Sequence, residues 1–107
     1  MIEARAVGTW SVFAVSGELD LATAPGLRER VREMDPNGSL KVALDLTEVG
    51  FVDSSGLGAI VACLKHVREL GGDLVLVAPD ASPVAKLLNL TGLEPSIARV
   101  ETVDDLR

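Results

Sequence analysis

The sequence has no tyrosine and only three aromatic residues, Trp10, Phe13 and Phe51. Its core must therefore be aliphatic, built from Val, Leu, Ile and Ala. A single cysteine, Cys63, excludes an internal disulfide and fits a reducing compartment. One cysteine, one histidine (His66) and scattered carboxylates show no metal-ligand spacing, so no metal is expected. Positive charge is also short: 10 Lys and Arg stand against 16 Asp and Glu, a net charge of −6. Such a surface repels phosphate backbones and anionic bilayers, which argues against nucleic acid and direct membrane contact. A partner with a basic face is compatible with it. No apolar run approaches the roughly 20 residues of a membrane span, and the opening MIEARAVGTW is too polar for a secretory h-region. The chain reads as cytoplasmic.

What remains is ordinary globular material. Of 107 residues, 48% are apolar and 24% charged, which suits one domain over 1–107 with a real core. There is no internal repeat, low-complexity segment or long linker. Residues 2–7 and 10–16 are strand-like and flank Gly8-Thr9, a two-residue hairpin signal; the second strand should end at Gly17. Leu27, Val31 and Met34 recur with helical spacing, predicting a helix over 22–34 with Pro25 in its first turn. DPNGS (35–39) is a turn cluster. In 40–46, Leu40, Val42, Leu44 and Leu46 alternate onto one face of a strand. A helix follows from near Ser54 to about Leu70, its stripe formed by Leu57, Ile60, Val61, Leu64 and Val67. Gly71-Gly72 ends it. Residues 73–78 are almost wholly apolar, as in a strand covered on both faces. A short helix over 81–91 and a strand over 96–100 follow, and TVDDLR adds a helical turn.

After the hairpin the order is β-α-β-α-β-α-β. Strands joined through helices run parallel, with right-handed crossovers. The expected fold class is therefore α/β: one small domain with a mixed, mostly parallel sheet and helices packed against it. Sites in such folds gather in loops after the strand C-termini. Two such loops stand out, GELD (17–20) and VDSSG (52–56).

The second loop opens a helix with an aspartate, two serines and a glycine pair. The plainest role is capping: a helix start leaves about four N–H groups without partners, and Asp53, Ser54 or Ser55 can accept from them. Gly56 and Gly58 would then permit close packing. A serine nucleophile needs a base, usually histidine. His66 lies twelve residues beyond Ser54 on the same helix, about 18 Å away at 1.5 Å per residue. The Gly-x-Ser-x-Gly elbow is absent too, which argues against a hydrolase. Nor does SSGLG supply the lysine of a phosphate loop or match Gly-x-Gly-x-x-Gly, so no cofactor is expected. His66 reads as a boundary residue and Cys63 as packing. The other open role is a covalent switch. A helix N-terminus accommodates a phosphate through its free N–H groups and dipole, and a phosphoserine adds about −1.5 to −2 charges. Like charges about 6 Å apart repel by about 0.7 kcal/mol in water-like dielectric and by about 2.8 kcal/mol at an effective dielectric near 20. The latter changes affinity about a hundredfold. One modification can thus release a docked partner from a folded domain.

FVDSSGLG at 51–58, LDL at 44–46, GELD at 17–20 and LLNLTGL at 87–93 together resemble the STAS domain family. The bacterial anti-sigma factor antagonists are the members they resemble most. The likeness runs from about Val12 to Val103. It implies a non-enzymatic partner-switching protein that binds an anti-sigma factor, often itself a serine kinase, and is reset by a serine phosphatase. By this resemblance Ser54 is the phosphoacceptor, Asp53, Ser55 and Gly56 flank it, and Asp20 joins the docking surface. Asp20 can also be the N-cap of the first helix, and Ser55 lies in the same turn as Ser54. STAS domains also serve in stress-sensing complexes and transport systems without such a switch. A short first strand, a nearly absent last helix and Pro95 depart from the family pattern, but none touches the 52–56 loop.

Overall fold

A computed structural model describes all of residues 1–107. Five strands form one sheet in sequence order: β1 (Ile2–Val7), β2 (Trp10–Leu19), β3 (Lys41–Val52), β4 (Asp73–Val77) and β5 (Arg99–Val100). β1 and β2 are an antiparallel hairpin, and every later pairing is parallel. The hairpin closes through Gly8-Thr9, with Gly8 at φ +59° and no positive φ at Thr9; a turn with only its first central residue at positive φ needs glycine there. Three helices connect the parallel strands: α1 (Ala24–Arg32), α2 (Ser54–Glu69) and α3 (Pro83–Thr91). This is the expected mixed α/β domain.

The helices share one core with one face of the sheet. Val42, Leu44 and Leu46 of β3 meet Leu27 and Val31 of α1, Ile60, Leu64 and Val67 of α2, and Val84 and Leu88 of α3. These are the periodic positions of the sequence, and the cluster is aliphatic apart from Phe13 and Cys63. The opposite face is covered more thinly. Val7, Val12, Ala43 and Val77 pack there with Trp10 and with Val103 and Leu106. The last two belong to a 3-10 turn, Val103–Leu106, opened at Thr102, whose N–H donates to the Asp105 carboxylate at 3.0 Å. So β4 is indeed covered on both faces, one side by helices and the other by this closing turn.

Several boundaries differ from the sequence expectation. α1 begins at Ala24 rather than residue 22. β2 runs past Gly17 to Leu19, so three residues of GELD are strand and only Asp20 lies beyond. β3 extends through Val52 instead of ending at Leu46. Its pairing with β2 slips between Ala14 and Ser16 and again between Gly17 and Glu18, as β3 takes up extra residues. Each bulge resets the inward-outward alternation, which hides the second half of the strand from a period-two reading. The last strand keeps only two residues, because Glu94–Ser96, carrying Pro95, turns into a 3-10 segment.

Candidate functional site

In a parallel sheet the strand C-termini fall at one end, and β2 and β3 are neighbours there. Their last residues, Leu19 and Val52, are paired in register. The chain then leaves β3 through Asp53 straight into α2. Asp53 is extended, at φ −113° and ψ −171°, and its Oδ1 accepts from Gly56 N–H at 3.0 Å. Its carbonyl accepts from Leu57 N–H at 3.0 Å. Of the three capping candidates it is therefore Asp53 that caps. Ser54 is exposed and Ser55 half-buried, at the first two helical positions. Their N–H groups have no acceptor one turn back.

Two contacts bind this loop to the end of β2. Asp53 N–H donates to the Leu19 carbonyl at 3.3 Å. Gly56 is buried against the same peptide: a Cβ there would lie 2.9 Å from the Leu19 carbonyl carbon, 2.9 Å from Val52 Cγ2, and closer still to the Leu19 oxygen. No side chain fits, which is why a glycine stands in the first turn of α2. Gly58 differs from the close-packing role given to it above. A Cβ at Gly58 meets nothing within 4 Å, and the residue is exposed.

Asp20 follows Leu19 directly, so the structure sets it beside the Asp53–Gly56 turn. It is not the N-cap of α1; that position belongs to Thr23, which makes no side-chain cap bond. Asp20 instead organises the turn before the helix. Its Oδ1 accepts from Ala22 N–H at 3.0 Å and Thr23 N–H at 3.1 Å, while its own N–H donates to Thr23 Oγ1 at 2.9 Å. The Thr23 hydroxyl donates to the Glu18 carbonyl at 2.8 Å. These donors, the Thr23 N–H foremost, hold the Asp20 carboxyl below its ordinary value of 3.8. Asp20, Asp53 and the exposed Glu18 give this end of the sheet negative charge.

Two exposed apolar side chains flank the loop. Leu21 is 77% exposed, and Phe51, opposite Glu18, is 50% exposed. Leu21 and, from α1, Ala24, Pro25 and Arg28 form a hollow of about 300 Å³ with Ser55 and Gly58. Phe51 escaped notice because the bulges in β3 change which residues face outward. A leucine in the polar turn after GELD was the available clue for Leu21.

His66 and Ser54 lie on one continuous helix, twelve residues apart, so the imidazole stays about 18 Å along the axis from the serine. Cys63 is buried between the helices and the sheet, and desolvation pushes its thiol up to about 11. No three His, Cys, Asp and Glu side chains come together as metal ligands. No helix is long and apolar enough to cross a membrane.

The family model for the STAS domain matches residues 1–106. An anti-sigma-B factor antagonist of Listeria monocytogenes is 35% identical over 83 residues, covering 78% of this chain and 72% of its own. One from Staphylococcus aureus is 32% identical over 80 residues, covering 75% and 73%. The crystal structure of an anti-sigma factor antagonist from Mycobacterium paratuberculosis superposes with a TM-score of 0.80 at 27% identity, over 98% of this chain and 88% of that one.

Proposed function

The chain belongs to the STAS domain family, and from that premise we propose that it is an anti-sigma factor antagonist switched by phosphorylation of Ser54. Unphosphorylated, it binds an anti-sigma factor that is also a serine kinase. Phosphorylated, it lets go, and a serine phosphatase restores it. Its role is binding, not catalysis. The observation that carries this reading is the division of labour in the Asp53–Gly56 turn. Asp53 caps α2 and Gly56 anchors it against Leu19, so the exposed Ser54 hydroxyl has neither task.

A phosphoryl group on Ser54 would meet the free N–H groups of the first turn, which offset its charge within the domain. A partner docked over Asp20, Asp53, Ser55, Leu21 and Phe51 has no such compensation. It would face about two further negative charges on ground that is already acidic, under the cover where the effective dielectric falls. The modification therefore weighs on the complex more than on the fold.

The test is capture from extract of the source cells on wild-type, Ser54→Ala and Ser54→Asp proteins, with identification of the retained proteins and titration of the purified anti-sigma factor. Wild type and Ser54→Ala should bind alike, and Ser54→Asp about a hundredfold more weakly. Equal binding by all three folded proteins would leave a constitutive binding module and remove the switch.

A further inference from the structure

The two edges of the sheet are unlike. β5 contributes two residues, and the first of them, Arg99, donates to the Ala78 carbonyl and to Asp80 Oδ1, both at 2.7 Å. β1 presents six residues, with Glu3, Ala4, Arg5 and Ala6 all exposed. Its hydrogen-bonding phase is fixed at the far end of the hairpin. Met1 N donates to the Ser16 carbonyl at 3.1 Å, and Ser16 N–H donates to Met1 O at 2.9 Å. Antiparallel pairing alternates between bonded and non-bonded pairs, so Met1, Glu3, Arg5 and Val7 bond to β2. The N–H and C=O groups of Ile2, Ala4 and Ala6 consequently point outward along the free edge. In agreement, the Ile2 carbonyl accepts from the Arg30 guanidinium at 2.9 Å.

We propose that this edge pairs with the same edge of a second copy of the chain, antiparallel about a twofold axis at Ala4, joining the two five-stranded sheets into one. Charge fixes both the occupant and the register. With Ala4 opposite Ala4, the outward groups of Ala4 bond across the axis and those of Ile2 meet those of Ala6. The non-bonded positions then set Glu3 opposite Arg5 twice, at the closer spacing of about 4.5 Å between Cα atoms. Sliding the partner by two residues either way centres the pairing on Glu3 or on Arg5, and puts like charges face to face. Charges on an edge strand usually keep other strands away. Here their signs and spacing favour the Ala4-centred register over both of its two-residue neighbours.

The neighbourhood allows the approach. On the helix side, Ala4 and Ala6 are small and border a hollow of about 430 Å³ with Phe13, Arg30 and Met34. On the other side, Arg5 already leans 3.9 Å from Asp45 with its side chain 56% exposed. The Ile2 carbonyl keeps a second lone pair for Ala6 of the copy while Arg30 holds the first.

Sedimentation velocity on the full chain from micromolar to millimolar concentration tests the proposal, with circular dichroism and thermal unfolding as controls on the fold. Wild type should show a concentration-dependent dimer. Glu3→Arg or Arg5→Glu alone puts like charges opposite each other and should raise the dimer dissociation constant at least about tenfold. The double swap Glu3→Arg/Arg5→Glu should bring it back to near the wild-type value. Ala4→Pro removes an N–H that β2 does not use, on an edge where proline is tolerated, and should give a folded monomer. A wild type that stays monomeric at millimolar concentration, a dimer that survives Ala4→Pro, or a folded double swap no stronger than the single ones would overturn it.

Discussion

Replacing Gly56 by alanine tests the link that holds the serine turn against β2. The added Cβ would overlap the Leu19 carbonyl group and reach 2.9 Å from Val52 Cγ2, in a buried site where the near neighbour is backbone. Relief requires the first turn of α2 to move off the end of the sheet. Overpacking of a tight site costs about 1–3 kcal/mol, and more where backbone must shift. The gain in helix propensity from Gly to Ala, about 0.8–1 kcal/mol, offsets part of this. A net loss of about 1–2 kcal/mol should lower the melting temperature by about 4–8 °C per kcal/mol for a domain of this size. Gly58→Ala supplies the control two residues along. It carries the same propensity gain, and its Cβ meets nothing within 4 Å. It should stabilise by about 0.8–1 kcal/mol. The assay is urea and thermal unfolding of both variants beside wild type. Opposite signs are expected. If Gly56→Ala proved as stable as Gly58→Ala, the close approach of α2 to Leu19 would be refuted, and with it the account of why Asp20 and the serine turn form one surface.

Three further outcomes follow from the same geometry. Asp53→Ala removes the cap on Gly56 N–H and should cost about 1 kcal/mol in urea unfolding, whereas Asp53→Asn should retain most of it; equal losses would assign the cap elsewhere. Asp20 has a depressed folded value, so the unfolded chain takes up its proton first as pH falls. Its contribution is complete above the ordinary value of 3.8 and is lost as pH drops through the lower folded value. Stability profiles between about pH 2 and pH 5 should therefore be shallower for Asp20→Asn than for wild type, and superimposable profiles would remove that role. Cys63, buried with its thiol pushed up to about 11, should react with a thiol reagent at mildly alkaline pH only after denaturant is added; rapid reaction in the native protein would contradict its burial.

The parts of this fold that could be read from the chain are those where one signal dominates. Gly8-Thr9 between two alternating runs gave the hairpin, and the Leu57–Val67 stripe gave α2, because hydrophobic period and turn chemistry agree there. The continuation of β3 through Thr47–Val52 was hidden because bulges shift its alternation, and with it went the exposure of Phe51. The last strand was over-read: Ser96 to Val100 looks β-like, but the 3-10 segment around Pro95 consumes its start. At the site itself, the sequence could show that a cap was needed but not which of three oxygens would serve. That depended on Asp53 being held extended by Leu19, a contact distant in sequence. Asp20 was open to reading as the N-cap of α1, yet its side chain closes a turn ahead of the helix instead.

The central claim is that Ser54 is the regulated hydroxyl. Intact-mass spectrometry with site mapping, on the protein purified from its own cells during growth and under stress, tests it most directly. The account predicts a single phosphoryl group on Ser54 whose occupancy changes between the two conditions. A protein that is unmodified in both, or modified only at Ser55 or elsewhere, would contradict it.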